Sequence, residues 1–328
     1  MYEYFVCADI FSIKIISNSV DITDYILSKL KDFSRLSITF KLIDYCNTFD
    51  ASLIYYDSYE YKFSFDEEKK VFILSVPWKE INNSTLLPMT FRLIVEWLRQ
   101  SQKEIKMHAS AVEYNGKVSL FIAPSEGGKT TTALSLCQNY NCVLRANDAS
   151  VVKFFDNTPF LLRGDTEFKV RSNGLAAYSQ KLYNDKVKDD GALPWYERTY
   201  LSAEELGIKT RNVTSPIINL FFVKLDNMVS ELKVIDYTCG IENRIKYWFK
   251  PKLSIMQNIS GTICSSDLLP MGNDGSILPL RIPDIDNDDF FRYRISFVNS
   301  LFEKCRVFQL RGQLAPMVEY IRQRMMIE

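Results

Sequence analysis

The chain has one histidine, His108, in 328 residues, which leaves no basis for a His-based zinc site. Its seven cysteines, at positions 7, 46, 137, 142, 239, 264 and 305, form no Cys-x-x-Cys pair. They read as reduced cytosolic thiols, mostly buried, with no metal site among them. Net charge is also lacking: Lys plus Arg equals Asp plus Glu, 40 against 40. No overall field draws nucleic acid or an anionic membrane. Apolar runs stay short, and the longest, such as Ile217–Val223, have the length of a strand rather than of a membrane span. The start, Met1-Tyr2-Glu3-Tyr4-Phe5, lacks the basic opening of a secretion signal and soon carries Asp9, so a cytoplasmic location is expected. There is no internal repeat and no low-complexity segment. What remains is an ordinary globular composition, 47% apolar and 24% charged, long enough for two domains.

One segment carries chemistry. Ala123-Pro124-Ser125-Glu126-Gly127-Gly128-Lys129-Thr130 fits the phosphate-loop template, with Ala in place of the usual first Gly. Lys117–Ile122 before it reads as a buried strand, and Thr131–Cys137 after it as a helix start, which is the context the motif needs. Gly127 and Gly128 allow the backbone to approach a phosphate, and the helix start favours a polyanion. Lys129 adds a cation for the β- and γ-phosphates. Thr130 offers a hydroxyl to the Mg²⁺ that travels with a nucleotide. Ser125, Glu126 and Thr131 complete the set expected to line the nucleotide.

Cys142–Arg145 reads as a strand that delivers Asn147 and Asp148 beside the loop. An acid there can hold Mg²⁺ or accept the proton of an attacking hydroxyl; a turn-forming Asp after Asn is the plain alternative. Met107–Glu113 reads as a strand and Asn115-Gly116 as a hairpin turn. This puts His108 on a neighbour of the loop strand, where it either meets the phosphates or plays a structural part. Strands are also expected at Ser150–Phe155 and Ile217–Lys224, with a C-terminal helix over Leu314–Met326.

Residues 1–105 read as a smaller α/β domain, and 106–328 as the phosphate-loop domain. The first part carries no catalytic constellation and is open to a role in binding substrate or a partner. Leu86–Lys103 reads as an amphipathic helix that packs it against the second. Asn184–Arg198, with Trp195, Tyr196 and Glu197, reads as a loop, as does Gly272–Asp289. Trp195, Tyr196 and Tyr200 either anchor the first loop or stack on a base.

The stretches Met107–Ala111, Asn115-Gly116, Leu120–Thr130 and Leu144–Asp148 together resemble the C-terminal domain of HPr kinase/phosphorylase and its relatives, a family that shares a fold with phosphoenolpyruvate carboxykinase. The resemblance spans about residues 105–325 and is specific over 107–148. It implies an α/β fold of the HPr kinase/carboxykinase type and ATP- and Mg²⁺-dependent phosphoryl transfer to a hydroxyl. The acceptor it implies is a Ser or Thr of a peptide or protein, including a natural-product precursor peptide. Carried over by residue, His108 lies near the phosphates, Lys129 and Thr130 hold nucleotide and metal, and Asp148 supplies a metal ligand or base. Asn147 stands where the family has a second acid. Phe168–Ser172 echoes a family segment in which Lys169 replaces a Glu and Arg171 meets a phosphate. Asn147 and Arg171 are therefore the residues expected toward the substrate. A small-molecule kinase on the same scaffold, and a nucleotide-dependent binding or scaffold protein with little turnover, are the rival readings. A homo-oligomer is compatible with each.

Overall fold

The computed structural model describes residues 1–28, 40–82, 86–124, 126–171, 198–237, 249–260 and 276–327. The protein is a mixed α/β chain with two main mixed β-sheets, and it divides into two compact units. Met1–Lys106 and Ser254–Phe297 form the first unit; Met107–Leu253 and Val298–Glu328 form the second. The segment 254–297 therefore groups with the first unit, not with the residues on either side of it in sequence.

The first unit contains β1 (Tyr2–Ala8), β2 (Phe11–Ser17), α1 (Asp21–Ser28), β3 (Phe40–Ile43), β4 (Ala51–Asp57), β5 (Lys62–Asp66), β6 (Val71–Val76), α2 (Trp78–Asn82) and α3 (Leu86–Ser101). Its sheet runs β3-β1-β2-β4-β6-β5. β2, β4 and β6 are parallel neighbours, and β1, β3 and β5 pair antiparallel. β2 alternates buried and half-buried residues along its length, the period of two that a strand with one core-facing side requires. α3 is buried on nearly every side rather than along one stripe: Leu86, Phe91, Ile94 and Leu98 are covered, and so are Leu93, Glu96 and Trp97. Much of it joins the first unit's own core, where each fully covered Leu or Phe contributes about 1.5–3 kcal/mol. The stretch read as the loop Gly272–Asp289 supplies part of that core too, through Leu278, Leu280, Ile282 and Ile285. Tyr293 and Arg294 then fasten it to the carbonyl of Lys103 and the side chain of Gln100.

β7 (Ile105–Met107) spans the division between units. The second unit continues with β8 (Ala109–Tyr114), β9 (Lys117–Ile122), α4 (Lys129–Asn139), β10 (Val143–Ala146), β11 (Ser150–Phe155), β12 (Thr158–Gly164), β13 (Glu167–Arg171), β14 (Arg198–Ser202), β15 (Ser215–Leu225) and β16 (Lys233–Asp236). After α5 (Phe249–Ser260) and α6 (Asp288–Lys304) come β17 (Arg306–Gly312) and α7 (Leu314–Met326). The strand read across Met107–Glu113 is broken at His108, which lies in a bend between β7 and β8. The hairpin at Asn115-Gly116 has φ of 50° and 78°, the left-handed pair a two-residue turn needs between right-twisted strands.

β9, β15 and β17 run parallel at the centre of this sheet, with β8 and β10 antiparallel beyond β9. Phe121, Phe221 and Phe308 sit in register on these three strands and stack at centroid distances of 5.6 and 5.1 Å. α4 and α7 cover this aromatic row with Ala133, Leu134, Met317 and Ile321. The row fixes α4 over the sheet, and with it the loop that leads into α4. No helix of the described residues is long and apolar enough to cross a membrane.

Candidate functional site

The loop between β9 and α4 is shaped by two left-handed residues, Glu126 (φ 64°) and Gly128 (φ 101°). Gly128 serves two purposes. It adopts a conformation costly for other residues, and it lies so close to Leu225 that a Cβ there would stand 2.4 Å from the Leu225 Cγ. Leu225, the last residue of β15, also donates its backbone N–H to the Gly127 carbonyl at 3.0 Å. The end of a central strand thus braces the loop from behind. Gly128 is the N-cap of α4 and provides no side-chain cap. The first N–H groups of a helix have no partner within it, which suits that end to an anion.

Lys129 is 6% exposed. Its ammonium folds back along the loop, donating to the Ala123 carbonyl at 3.0 Å, and lies 3.0 Å from His108 Nε2. Burial lowers its pKa, and the charge of Asp148 works the other way. On the other side of the imidazole ring, His108 Nδ1 lies 3.0 Å from Asp148 Oδ1. Asp148, His108 and Lys129 therefore form one line, from the end of β10 to the start of α4. His108 and Asp148 are each about 40% exposed, so the line opens to solvent at one end and is closed at Lys129.

Asn147 and Thr130 form the adjoining pair. The Thr130 hydroxyl donates to Asn147 Oδ1 at 2.9 Å, and Asn147 Nδ2 donates to the Glu167 carbonyl at 2.9 Å. The amide is used at both ends. A carboxylate in its place could accept from Thr130 but could not donate to Glu167. The side-chain oxygens of Thr130 and Asp148 have the hard-donor chemistry that suits Mg²⁺. Among the described residues, no group of three or more His, Cys, Asp or Glu side chains is placed to hold a metal ion.

A residue that sequence reasoning passed over holds this corner together. Asp165 follows β12 and embraces the turn after β10 with four hydrogen bonds. Its carbonyl accepts from Asn147 N–H (2.7 Å) and its own N–H donates to the Ala149 carbonyl (3.1 Å). Its Oδ1 accepts from the N–H groups of both Asp148 (2.9 Å) and Ala149 (2.8 Å). The approach depends on Gly164, where a Cβ would stand 2.2 Å from the Ala146 Cβ and 2.6 Å from the Arg145 carbonyl. The signal in the sequence was the Gly164-Asp165 pair, its Asp seventeen positions past Asp148.

Arg145, two residues before Asn147, anchors the strand itself. Its buried guanidinium pairs with the Glu113 carboxylate and donates to the Ser215 hydroxyl (2.9 Å) and to the carbonyls of Arg211 (2.7 Å) and Val213. The Ser110 hydroxyl donates to the Asn147 carbonyl, tying β8 to the same turn.

Of the residues singled out from sequence, the fold brings His108, Lys129, Thr130, Asn147 and Asp148 together. Gly127 and Gly128 form the loop, Glu126 is exposed on it, and Thr131 is half-buried in the first turn of α4. Arg171 closes β13, its backbone in register with Arg198 of β14. Tyr200 lies on β14 opposite Lys169. Ser125, Trp195, Tyr196 and Glu197 lie outside the described residues. No protein-family model matches the chain, and no curated protein matches it.

Proposed function

We propose that the second unit is a phosphotransferase of the HPr kinase and phosphoenolpyruvate carboxykinase type, which moves the γ-phosphoryl group of Mg-ATP to the hydroxyl of a Ser or Thr in a peptide or protein. The observation that carries this reading is the hydrogen-bonded line Asp148–His108–Lys129 at the mouth of a Gly-Gly-Lys-Thr loop. A Gly-rich turn with only a structural task has no need of a carboxylate, an imidazole and a buried ammonium in one row.

The loop amides and the α4 N-terminus receive the phosphates. Lys129, now turned onto Ala123 O and His108, swings to the β- and γ-phosphates, where a buried ammonium regains the favourable partner that desolvation denies it. Thr130 and Asp148 are the residues that would hold Mg²⁺, which would supply charge neutralisation on the phosphates, and Asp148 is alternatively the base that would take the acceptor's hydroxyl proton. Catalysis of this type is positioning and electrostatic stabilisation more than covalent assistance from many side chains. The bond from Thr130 to Asn147 steadies one of these side chains, and the four bonds of Asp165 steady the turn that carries the other.

A nucleotide-dependent binding protein with little turnover is the second reading. It is favoured by Asn147, an amide where the family pattern has a carboxylate. Incubation with γ-labelled ATP and a cell extract separates the two. Label in a polypeptide supports the first, label in a small molecule moves the acceptor class, and no transfer despite nucleotide binding favours the second. Asp148→Asn should lower transfer by about a hundredfold or more, the range for loss of a group acting on the proton in the transition state. Near-normal transfer at saturating Mg²⁺ would place the essential acid elsewhere.

A further inference from the structure

β9, β15 and β17 are parallel, so their carboxyl termini share one end of the sheet, the end at which β9 delivers the phosphate loop. Lys224 and Arg311 are the penultimate residues of β15 and β17 and stand at that end too. They are register partners, and Arg311 is in turn the register partner of Lys233 on β16. Residues directly opposite one another on neighbouring strands project from the same face. Lys224, Arg311 and Lys233 therefore form one cationic row across adjacent strands, about 10 Å long at the usual strand spacing. Each of them is exposed. Leu225 and Leu232, their neighbours in sequence, turn the other way and pack against the core beneath α4 and α7. The row starts one residue before Leu225, whose N–H is held by the Gly127 carbonyl of the loop.

Such a row works against the fold, because like charges directly opposite each other on a sheet repel. Asp226 relieves part of it. Its Oδ2 accepts from Arg311 Nε (2.9 Å) and Nη2 (2.7 Å), and these bonds hold its carboxyl below the usual range. Arg311 Nη1 makes no hydrogen bond among the described residues, and the ammonium groups of Lys224 and Lys233 make neither hydrogen bond nor ion pair there. Glu231, the other acid between β15 and β16, lies before the strand and makes no ion pair with the row among the described residues. Lysine on an edge strand discourages unwanted pairing, which accounts for Lys233 on β16. It does not account for Lys224 and Arg311, whose strands are paired on both sides. Nor is the row a sample of a basic protein, since the chain has no net charge.

We propose that the acceptor is a polypeptide acidic beside its hydroxyl, and that its Asp and Glu carboxylates dock on the row of Lys224, Arg311 and Lys233. The inference rests on the reading of the loop as a phosphoryl-transfer site and adds to it the charge of the acceptor. An extended chain advances about 3.3 Å per residue, so roughly three residues span the row. The acids therefore fall within a few residues of the Ser or Thr. Asp226 holds the Arg311 guanidinium in place, so its open Nη1 is a fixed donor between the two ammonium groups. A nucleic acid suits this surface less well. Single strands bind on aromatic platforms as well as on cations. The next row of the same face is Phe222, Gln309 and Ile235, and its one ring is packed on Phe302.

The test uses the full chain and fluorescent peptides of equal length with a central Ser, flanked by Asp and Glu, by Ala, or by Lys. By anisotropy the acidic peptide should bind most tightly and the Lys peptide least, and salt should erase the difference. With γ-labelled Mg-ATP the acidic peptide should take up label on its Ser with the lowest KM. Lys224→Glu combined with Lys233→Glu should raise its Kd and KM about tenfold, as for exposed charge pairs reversed together. Lys224→Arg combined with Lys233→Arg should keep the preference, and Mg-ATP should raise the melting temperature of both variants as it does for wild type. Equal binding of the peptides, or an acidic preference that survives charge reversal, would overturn the inference and leave the nucleotide site standing. So would an acidic peptide that saturates wild type and gains no label. A single-stranded oligonucleotide that binds more tightly than the acidic peptide, and is lost on the same charge reversal, would overturn it in favour of nucleic acid. No melting shift with Mg-ATP in wild type would remove the kinase reading, and this inference with it.

Discussion

Replacing Lys129 with Met tests the loop while keeping most of the side chain's volume. In the free protein the change removes the hydrogen bond to Ala123 O and the contact with His108 Nε2, both at 3.0 Å. A hydrogen bond from a charged donor is worth about 1.5–3 kcal/mol net. Against that stands the cost of keeping an ammonium in a residue only 6% exposed, which burial already pushes toward neutrality. The two nearly offset, so the melting temperature without ligand should change by no more than ~4 °C, about 1 kcal/mol for a unit of this size. With Mg-ATP the outcomes part. At a hundred times Kd, wild type gains about 2.7 kcal/mol, which corresponds to ~5–10 °C. Losing a hydrogen bond to a charged group costs about 1.5–3 kcal/mol, or roughly a 10- to 150-fold rise in Kd. At the same nucleotide concentration the variant should then gain only about 0.3–1.3 kcal/mol, a shift of ~1–5 °C. Differential scanning fluorimetry of both proteins across a nucleotide titration reads this directly. Equal shifts at every concentration would refute the assignment of Lys129 to the phosphates.

Two further outcomes follow from the corner around Asp148. Asp165→Ala should lower turnover and stability together, since it leaves the N–H groups of Asp148 and Ala149 without their acceptor, about 1–3 kcal/mol for such a loss. Asp165→Asn keeps an oxygen there and should restore most of both; steady-state kinetics in which the Asn variant is as impaired as the Ala variant would assign Asp165 a charge role instead. Asn147→Asp should destabilise by about 1–3 kcal/mol, because a carboxylate faces the Glu167 carbonyl in place of a donor. Urea unfolding that gives equal stability for the two would show that the amide's second bond is dispensable.

The local architecture of the site was legible because its signals are local. An apolar six-residue run, two glycines and a Lys-Thr pair specify strand, loop and helix within fourteen positions, and β9 and α4 lie where those residues put them. Asn115-Gly116 marks its turn through backbone preference alone. Asp165 was not legible, since its task is to accept from N–H groups sixteen and seventeen residues away, and nothing in a Gly-Asp pair specifies that distance. His108 was legible as a neighbour of the loop but not as a break in its strand, because Met107–Glu113 keeps a strand's composition through the bend. The grouping of 254–297 with the first unit was hidden for a different reason. Leu278, Leu280, Ile282 and Ile285 are spaced among Pro, Asp and Arg in a stretch whose composition is that of a loop, and only tertiary packing reveals them as core.

That last arrangement sets an order of events during synthesis. The first unit's sheet is translated early, within Met1–Lys106, but its core lacks Leu278–Ile285 and the tie from Arg294 until the chain has grown by about 190 more residues. At the usual pace of about 5–20 residues per second, that is a wait of roughly 10–40 s. Throughout it that core lacks four of its buried side chains on a nascent chain. The N-terminal unit is the first to be made but among the last to be finished, and a ribosome stalled anywhere before Phe297 would present a sticky, incomplete domain to the chaperones that wait at the exit tunnel.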